Sequence, residues 1–136
     1  MKLLRASLLA VLFVVPMAAA QAETVAVLQG LDKTSARVSR FNAPIGQPVK
    51  FGTLVITVQS CTKRPPEEPP ESTAFMTIDE IRPGDDTGQS TKRVFSGWMF
   101  ASSPAVSALE DPIYDVNVLD CKTEVTSAPP SGTGGK

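Results

Sequence analysis

From Gly52 the chain reads Thr53-Leu54-Val55-Ile56-Thr57-Val58-Gln59-Ser60-Cys61, and this stretch limits what the rest can become. Leu54, Ile56 and Val58 fall on one face of an extended backbone, while Thr53, Thr57 and Gln59 fall on the other. Side chains alternate across a strand, and β-branched residues suit its pleated surface. The segment therefore predicts a half-buried β-strand. Other apolar segments are also short and bounded by turn residues, which the 12 prolines and 9 glycines supply.

Ala43 to Pro48 is a turn-rich link into that strand, and Lys33 to Phe41 reads as a more exposed strand interrupted by Arg37, Ser39 and Arg40. Lys63 to Glu71 carries four prolines in nine residues, which excludes helix and central strand and predicts an extended surface loop. Thr73 to Ile81 reads as a strand. Arg82 to Thr91 is a loop marked by Pro83-Gly84. Arg93 to Phe100 reads as another strand, with Val94, Trp98 and Phe100 on one face and Phe95 and Met99 on the other. Ser103 as N-cap and Pro104 at the first helical position predict about two helical turns, stopped at Asp111-Pro112. Ile113 to Cys121 is the last strand, with Tyr114, Val116 and Val118 facing one way. About six short strands and one short helix predict an all-β domain, a small antiparallel sandwich or open barrel.

The N-terminus predicts where that domain works. Lys2 and Arg5 form a positive head, Ala6 to Val15 is apolar apart from Ser7, and Ala20-Gln21-Ala22 is a small-x-small cleavage site. Residues 1–22 thus read as a secretory signal peptide cut after Ala22. Residues 23–124 form the expected domain. Residues 125–136, rich in Pro, Gly, Ser and Thr, form a tail expected to be flexible. Removing Lys2 and Arg5 from the 13 basic residues leaves 11 against 14 acidic ones, a net charge of about −3. Such a chain has no general attraction for nucleic acid. No second apolar stretch approaches the roughly 20 residues of a membrane span, so no transmembrane segment is expected after cleavage.

Export governs how Cys61 and Cys121 read. Outside the cytosol, two cysteines in a small domain pair, and here one connectivity exists. Closing a loop of this size is worth roughly 4 kcal/mol in the chain-entropy account. Because both cysteines end strands, the strands lie side by side in parallel or pack across two sheets. The chain has no histidine. That removes Ser-His, Cys-His and His-metal sites, and two cysteines alone argue against zinc. No metal or cofactor is expected.

The run Phe95-Ser96-Gly97-Trp98-Met99-Phe100-Ala101-Ser102-Ser103-Pro104, followed by Leu109-Glu110-Asp111-Pro112-Ile113-Tyr114-Asp115-Val116 and Asp120-Cys121, is distinctive. With Leu31-Asp32-Lys33, Phe51-Gly52-Thr53-Leu54 and Cys61, it resembles the DUF2155 family over nearly the whole mature domain. The resemblance implies an exported alphaproteobacterial protein in the periplasm, and it brings no activity, substrate or cofactor. Asp111 stands where the family commonly has His, and Asn117 where it commonly has Trp.

Among the chemistries left, paired carboxylates could hydrolyse glycosides if two of Asp79, Glu80, Glu110, Asp111, Asp115 and Asp120 met in a cleft. Solvated loop charges are the expected state of these residues. Ser102 and Ser103 read as turn and cap, and Asp85-Asp86 as turn acids lacking the pattern of a calcium loop. The candidate binding surface is Trp98, Met99, Phe100, Val106 and Tyr114, since aromatic faces stack on sugars or anchor protein partners. Trp98 itself is expected to pack over the Cys61–Cys121 bridge. Val106 and Leu109, three apart, are expected to dock on the sheet. The functional expectation is a non-catalytic periplasmic accessory or binding module, with an envelope protein or polysaccharide as partner. A carboxylate hydrolase and a small-ligand carrier are the alternatives.

Overall fold

The computed structural model describes residues 20–84 and 89–126. The expected signal peptide up to residue 19, Asp85-Asp86 and the tail from residue 127 lie outside the described residues. Among the described residues, seven strands run in chain order: β1 Gln21–Asp32, β2 Arg37–Pro44, β3 Pro48–Phe51, β4 Leu54–Lys63, β5 Ser72–Pro83, β6 Gln89–Phe100 and β7 Tyr114–Thr126. They form two antiparallel sheets, β2-β1-β7 and β3-β4-β5-β6. The architecture is an open sandwich, as the short alternating segments predict.

Several local expectations change. Arg82, Pro83 and Gln89 to Thr91, expected as loop, instead pair and lengthen β5 and β6. Lys33 to Ala36 is the turn of the β1–β2 hairpin rather than the start of a strand. Asp32 makes that turn: its Oδ1 accepts from Thr34 N at 2.9 Å, Thr34 Oγ1 at 2.6 Å and Ser35 N at 3.3 Å. The expected link before β4 contains strand β3, which Pro48 can start because a first position needs no ladder donor. The expected two-turn helix is one 3-10 turn, Pro104–Ser107, without a side-chain cap from Ser103.

The core lies between the sheets. Leu54, Ile56 and Val58 of β4 and Ala74, Met76 and Ile78 of β5 are fully buried against Ala26 and Leu28 of β1 and Val116 and Val118 of β7. One end is closed by aromatic rings. Phe51 stacks on Phe41 with centroids 5.5 Å apart and meets Tyr114 edge-on at 5.6 Å. Two glycines permit this: the Phe51 ring lies where a side chain of residue 30 would sit, and the Tyr114 ring where one of residue 52 would sit. Gly52 also has φ +57°, which costs glycine no Cβ clash.

Toward the other end, Cys61 and Cys121 join β4 to β7, and so one sheet to the other, with Cα atoms 5.6 Å apart. Simple alternation would turn both cysteines outward. In β4, residues 54, 56 and 58 face in, so residue 61 would face out. Val58 pairs with Met76 but Ser60 with Phe75, leaving Gln59 as an extra residue that restores Cys61 to the inner face. In β7, Val118 pairs with Leu28 and Asp120 with Val27, so Leu119 does the same for Cys121. Each slip is a β-bulge, and a one-residue slip exchanges the faces of every side chain beyond it.

Two predictions follow from this geometry. Deleting Gln59 removes the extra residue and leaves Val58, Ser60 and Cys61 in unbroken alternation opposite Met76, Phe75 and Ala74, so the bridge should still form and thiol titration of the unfolded, unreduced variant should find no free thiol; two free thiols would contradict the role given to the bulge. The second concerns acid. Hydrogen bonds from Thr34 and then Ser35 lower the Asp32 carboxyl to about 2. A depressed folded value means the turn's contribution is complete above the unfolded value of about 4 and is lost as pH falls toward 2. Stability of an Asp32→Ala variant should fall less steeply than wild type across that window, as followed by denaturant melts.

Candidate functional site

β6 is an edge strand, and its alternation decides which aromatic groups reach solvent. Met99 is buried and faces the core, so Trp98 before it faces outward and is 47% exposed. The expectation that Trp98 covers the disulfide is corrected, and Met99 is removed from the candidate surface. The expected grouping of Val94 with Trp98 fails for a related reason. Ile78 pairs with Phe95 but Asp79 with Arg93, so Val94 is an extra residue and packs toward the core.

Trp98 does not stand alone on the outer face. It pairs with Phe75 of β5, the ring centroids 5.3 Å apart and the planes at 66°. Such edge-to-face pairs are favoured by the aromatic quadrupole. Phe100, half-buried, is two residues along the same strand and pairs with Thr73. Phe75 escapes a sequence reading because it sits beside Met76, and two adjacent apolar residues leave the inner face ambiguous.

The 3-10 turn packs at this strand, where the Ser107 hydroxyl donates to the Trp98 carbonyl. Val106 is 72% exposed while Leu109 is buried. They do not dock together as expected, because the helical turn stops at Ser107 and Ala108 is already extended at φ −79°, ψ 148°. Tyr114 belongs elsewhere, in the Phe41–Phe51 aromatic closure. The structure thus brings Trp98 and Phe100 together on one face, adds Phe75, leaves Val106 exposed on the adjoining turn, and separates off Met99 and Tyr114.

Of the candidate carboxylates, Asp79, Glu80 and Asp120 are each engaged with a basic side chain. Arg93 donates to both oxygens of Asp79, at 2.8 and 3.1 Å, and the Arg93 bond is the leading cause of a lowered Asp79 carboxyl. Glu80 pairs with Arg82 at 2.7 Å. Asp120 meets Lys63 at 2.9 Å and accepts from Ser72 Oγ at 3.1 Å, and the Lys63 bond chiefly lowers it. Glu71 accepts from Ser72 N, Ser102 N and the Ser102 hydroxyl, and Ser102 chiefly lowers its carboxyl. Lys63, Glu71, Ser72, Ser102 and Asp120 border an open cleft of about 380 Å³ near the disulfide. Their hydrogen bonds lower the Glu71 and Asp120 carboxyls, whereas a general acid at neutral pH needs a raised one. Among the described residues, no three His, Cys, Asp or Glu side chains gather as a metal site. No helix there is long and apolar enough to cross a membrane.

Asp111 is buried, and its role is structural. Its Oδ1 accepts from Ile113 N at 2.8 Å and Tyr114 N at 2.7 Å, shaping the turn into β7, while its carbonyl accepts from Lys33 Nζ at 2.6 Å. Asp111→Ala would orphan two backbone donors and should cost about 1–3 kcal/mol in denaturant melts. Asp111→Asn keeps an acceptor and should cost less; equal losses would count against the capping role.

Comparison with known proteins gives a family without an assigned activity. Residues 26–121 match DUF2155, described as an uncharacterized protein conserved in bacteria. An uncharacterized protein of Rickettsia prowazekii (strain Madrid E) is 30% identical over 91 residues, covering 67% of this chain and 56% of that protein. The chain therefore spans little more than half the length of this curated relative. No solved structure matches the chain.

Proposed function

This chain belongs to the DUF2155 family, and from that premise we propose that it is a non-catalytic binding module of the periplasm, docking on an envelope protein complex or a cell-wall polymer. The observation that carries the proposal is the exposed Trp98, set beside Phe75 and Phe100 on the outer face of the four-stranded sheet. A large aromatic side chain held half-exposed on a rigid strand presents contact area at little entropic cost. Asp79, Glu80, Asp111 and Asp120, each engaged with Arg, Lys, Ser or backbone partners, give no support to a hydrolase. The signal-like N-terminus and the disulfide support an oxidising compartment.

Crosslinking in the periplasm of the native host tests this, comparing wild type with a Trp98→Ala variant of unchanged thermal melt. A specific product present in wild type and absent from the variant is expected. No specific product in either sample would count against the module. The exported protein should begin at Glu23 by mass spectrometry.

A further inference from the structure

The two outer faces of the sandwich differ in charge. On the three-stranded sheet, outward positions carry Glu23, Arg40, Asp115, Lys122 and Glu124, spread along its whole length. The four-stranded sheet is different. Three successive rows, Thr62–Thr73–Phe100, Ser60–Phe75–Trp98 and Thr57–Thr77–Ser96, contain no ionisable side chain. The Gln59 amide lies in the same area and meets the Thr77 hydroxyl at 3.1 Å. Charge bounds the strip at both ends: Arg93 and Asp79 neutralise each other beside Val55 and Lys50 in the row beyond Ser96, and Arg64 and Glu71 lie beyond Thr62 and Thr73.

A face of this composition selects its partner by chemistry. Without ionised groups it offers nothing to a polyanion or a charged peptide. Protein interfaces favour aromatics but are depleted in serine, and their hot spots under-represent serine and threonine, whereas hydroxyls fill these rows. Hydroxyl side chains both donate and accept, which matches a partner that is itself covered in hydroxyls. The ring faces carry negative quadrupole density and attract weakly positive C–H groups. Strand addition is obstructed at Trp98, because Ser107 occupies its carbonyl.

We propose that this face binds an uncharged polysaccharide chain. Trp98 and Phe100, about 7 Å apart along β6 at two strand rises, stack on sugar rings, with Phe75 bracing Trp98. Thr57, Ser60, Thr73 and Ser96 bond the hydroxyls at the ring edges. The proposal rests on the binding-module reading and narrows its partner to a glycan.

The chain has one tryptophan, so its emission reports from the face itself. The mature protein is titrated with chitohexaose and with cellohexaose, and with heparin as a charged comparison. A saturable blue shift with at least one hexasaccharide is expected. Its midpoint should not move when salt rises from about 0.05 to about 0.5 M, because no ion pair is involved. Phe100→Ala and Ser96→Lys both keep Trp98, and each should weaken binding about tenfold or more. Ser96 is exposed, so its variant should keep the wild-type melt. No saturable shift with either hexasaccharide overturns the proposal, as does unchanged affinity in both variants or salt-sensitive binding of heparin alone. If the sugars fail while the Trp98-dependent crosslinked product persists, the glycan is rejected and the binding module stands. If both fail, both readings fall.

Discussion

The bridge between Cys61 and Cys121 is the constraint on which the rest depends, because it joins two sheets that share no backbone hydrogen-bond ladder. Its formation is a matter of parity. Two strands present their cysteines inward only after each slips by one residue, at Gln59 and at Leu119. The slips interrupt otherwise regular ladders, and they convert two outward side chains into a covalent tie through the core. At the far end the same separation of sheets is closed by rings, Phe41, Phe51 and Tyr114, fitted against two glycines. One end is fixed by a bond and the other by shape.

Between these ends the polar groups are used for local geometry. Asp32 holds a hairpin turn, Asp111 the entry to β7, and Glu71 ties Ser102 to the end of the Pro-rich loop. These carboxylates act as fixed acceptors, each satisfied by a nearby donor. The outer face around Trp98 is different: its hydroxyls lie on regular strand positions and its aromatic groups are spaced by the strand repeat. A rigid sheet thus displays its contacts without loop rearrangement, which reduces the ordering cost of association.

The β character of the chain, the strand around Leu54 and the inward face of β7 at Val116 and Val118 were legible because they follow simple alternation. The pairing of Cys61 with Cys121 was legible from redox setting and count. What alternation could not show was where it breaks. Val94, Gln59 and Leu119 are unremarkable in the sequence, and each becomes an extra residue only when the partner strand is known. Trp98 is placed outward for a different reason: its large apolar surface suggests burial, but β6 alternates regularly here and Met99, opposite Ala74, takes the inner face. Phe75, hidden beside Met76, needed the same register. The short helix failed differently, since Ser103 and Pro104 mark a start but cannot set a length.

The pairing of β1 with β7 joins the first strand of the domain to the last. During synthesis β1 can fold back on β2 as a hairpin, but its other edge has no partner until β7 has emerged. Contacts this distant in sequence close slowly, and an unpaired edge is open to other chains while it waits. The three-stranded sheet is therefore completed last, together with the disulfide that β7 carries. Completion of this domain waits on β7, and a chain stalled before Tyr114 lacks Val116 and Val118 for its core and Cys121 for its bridge.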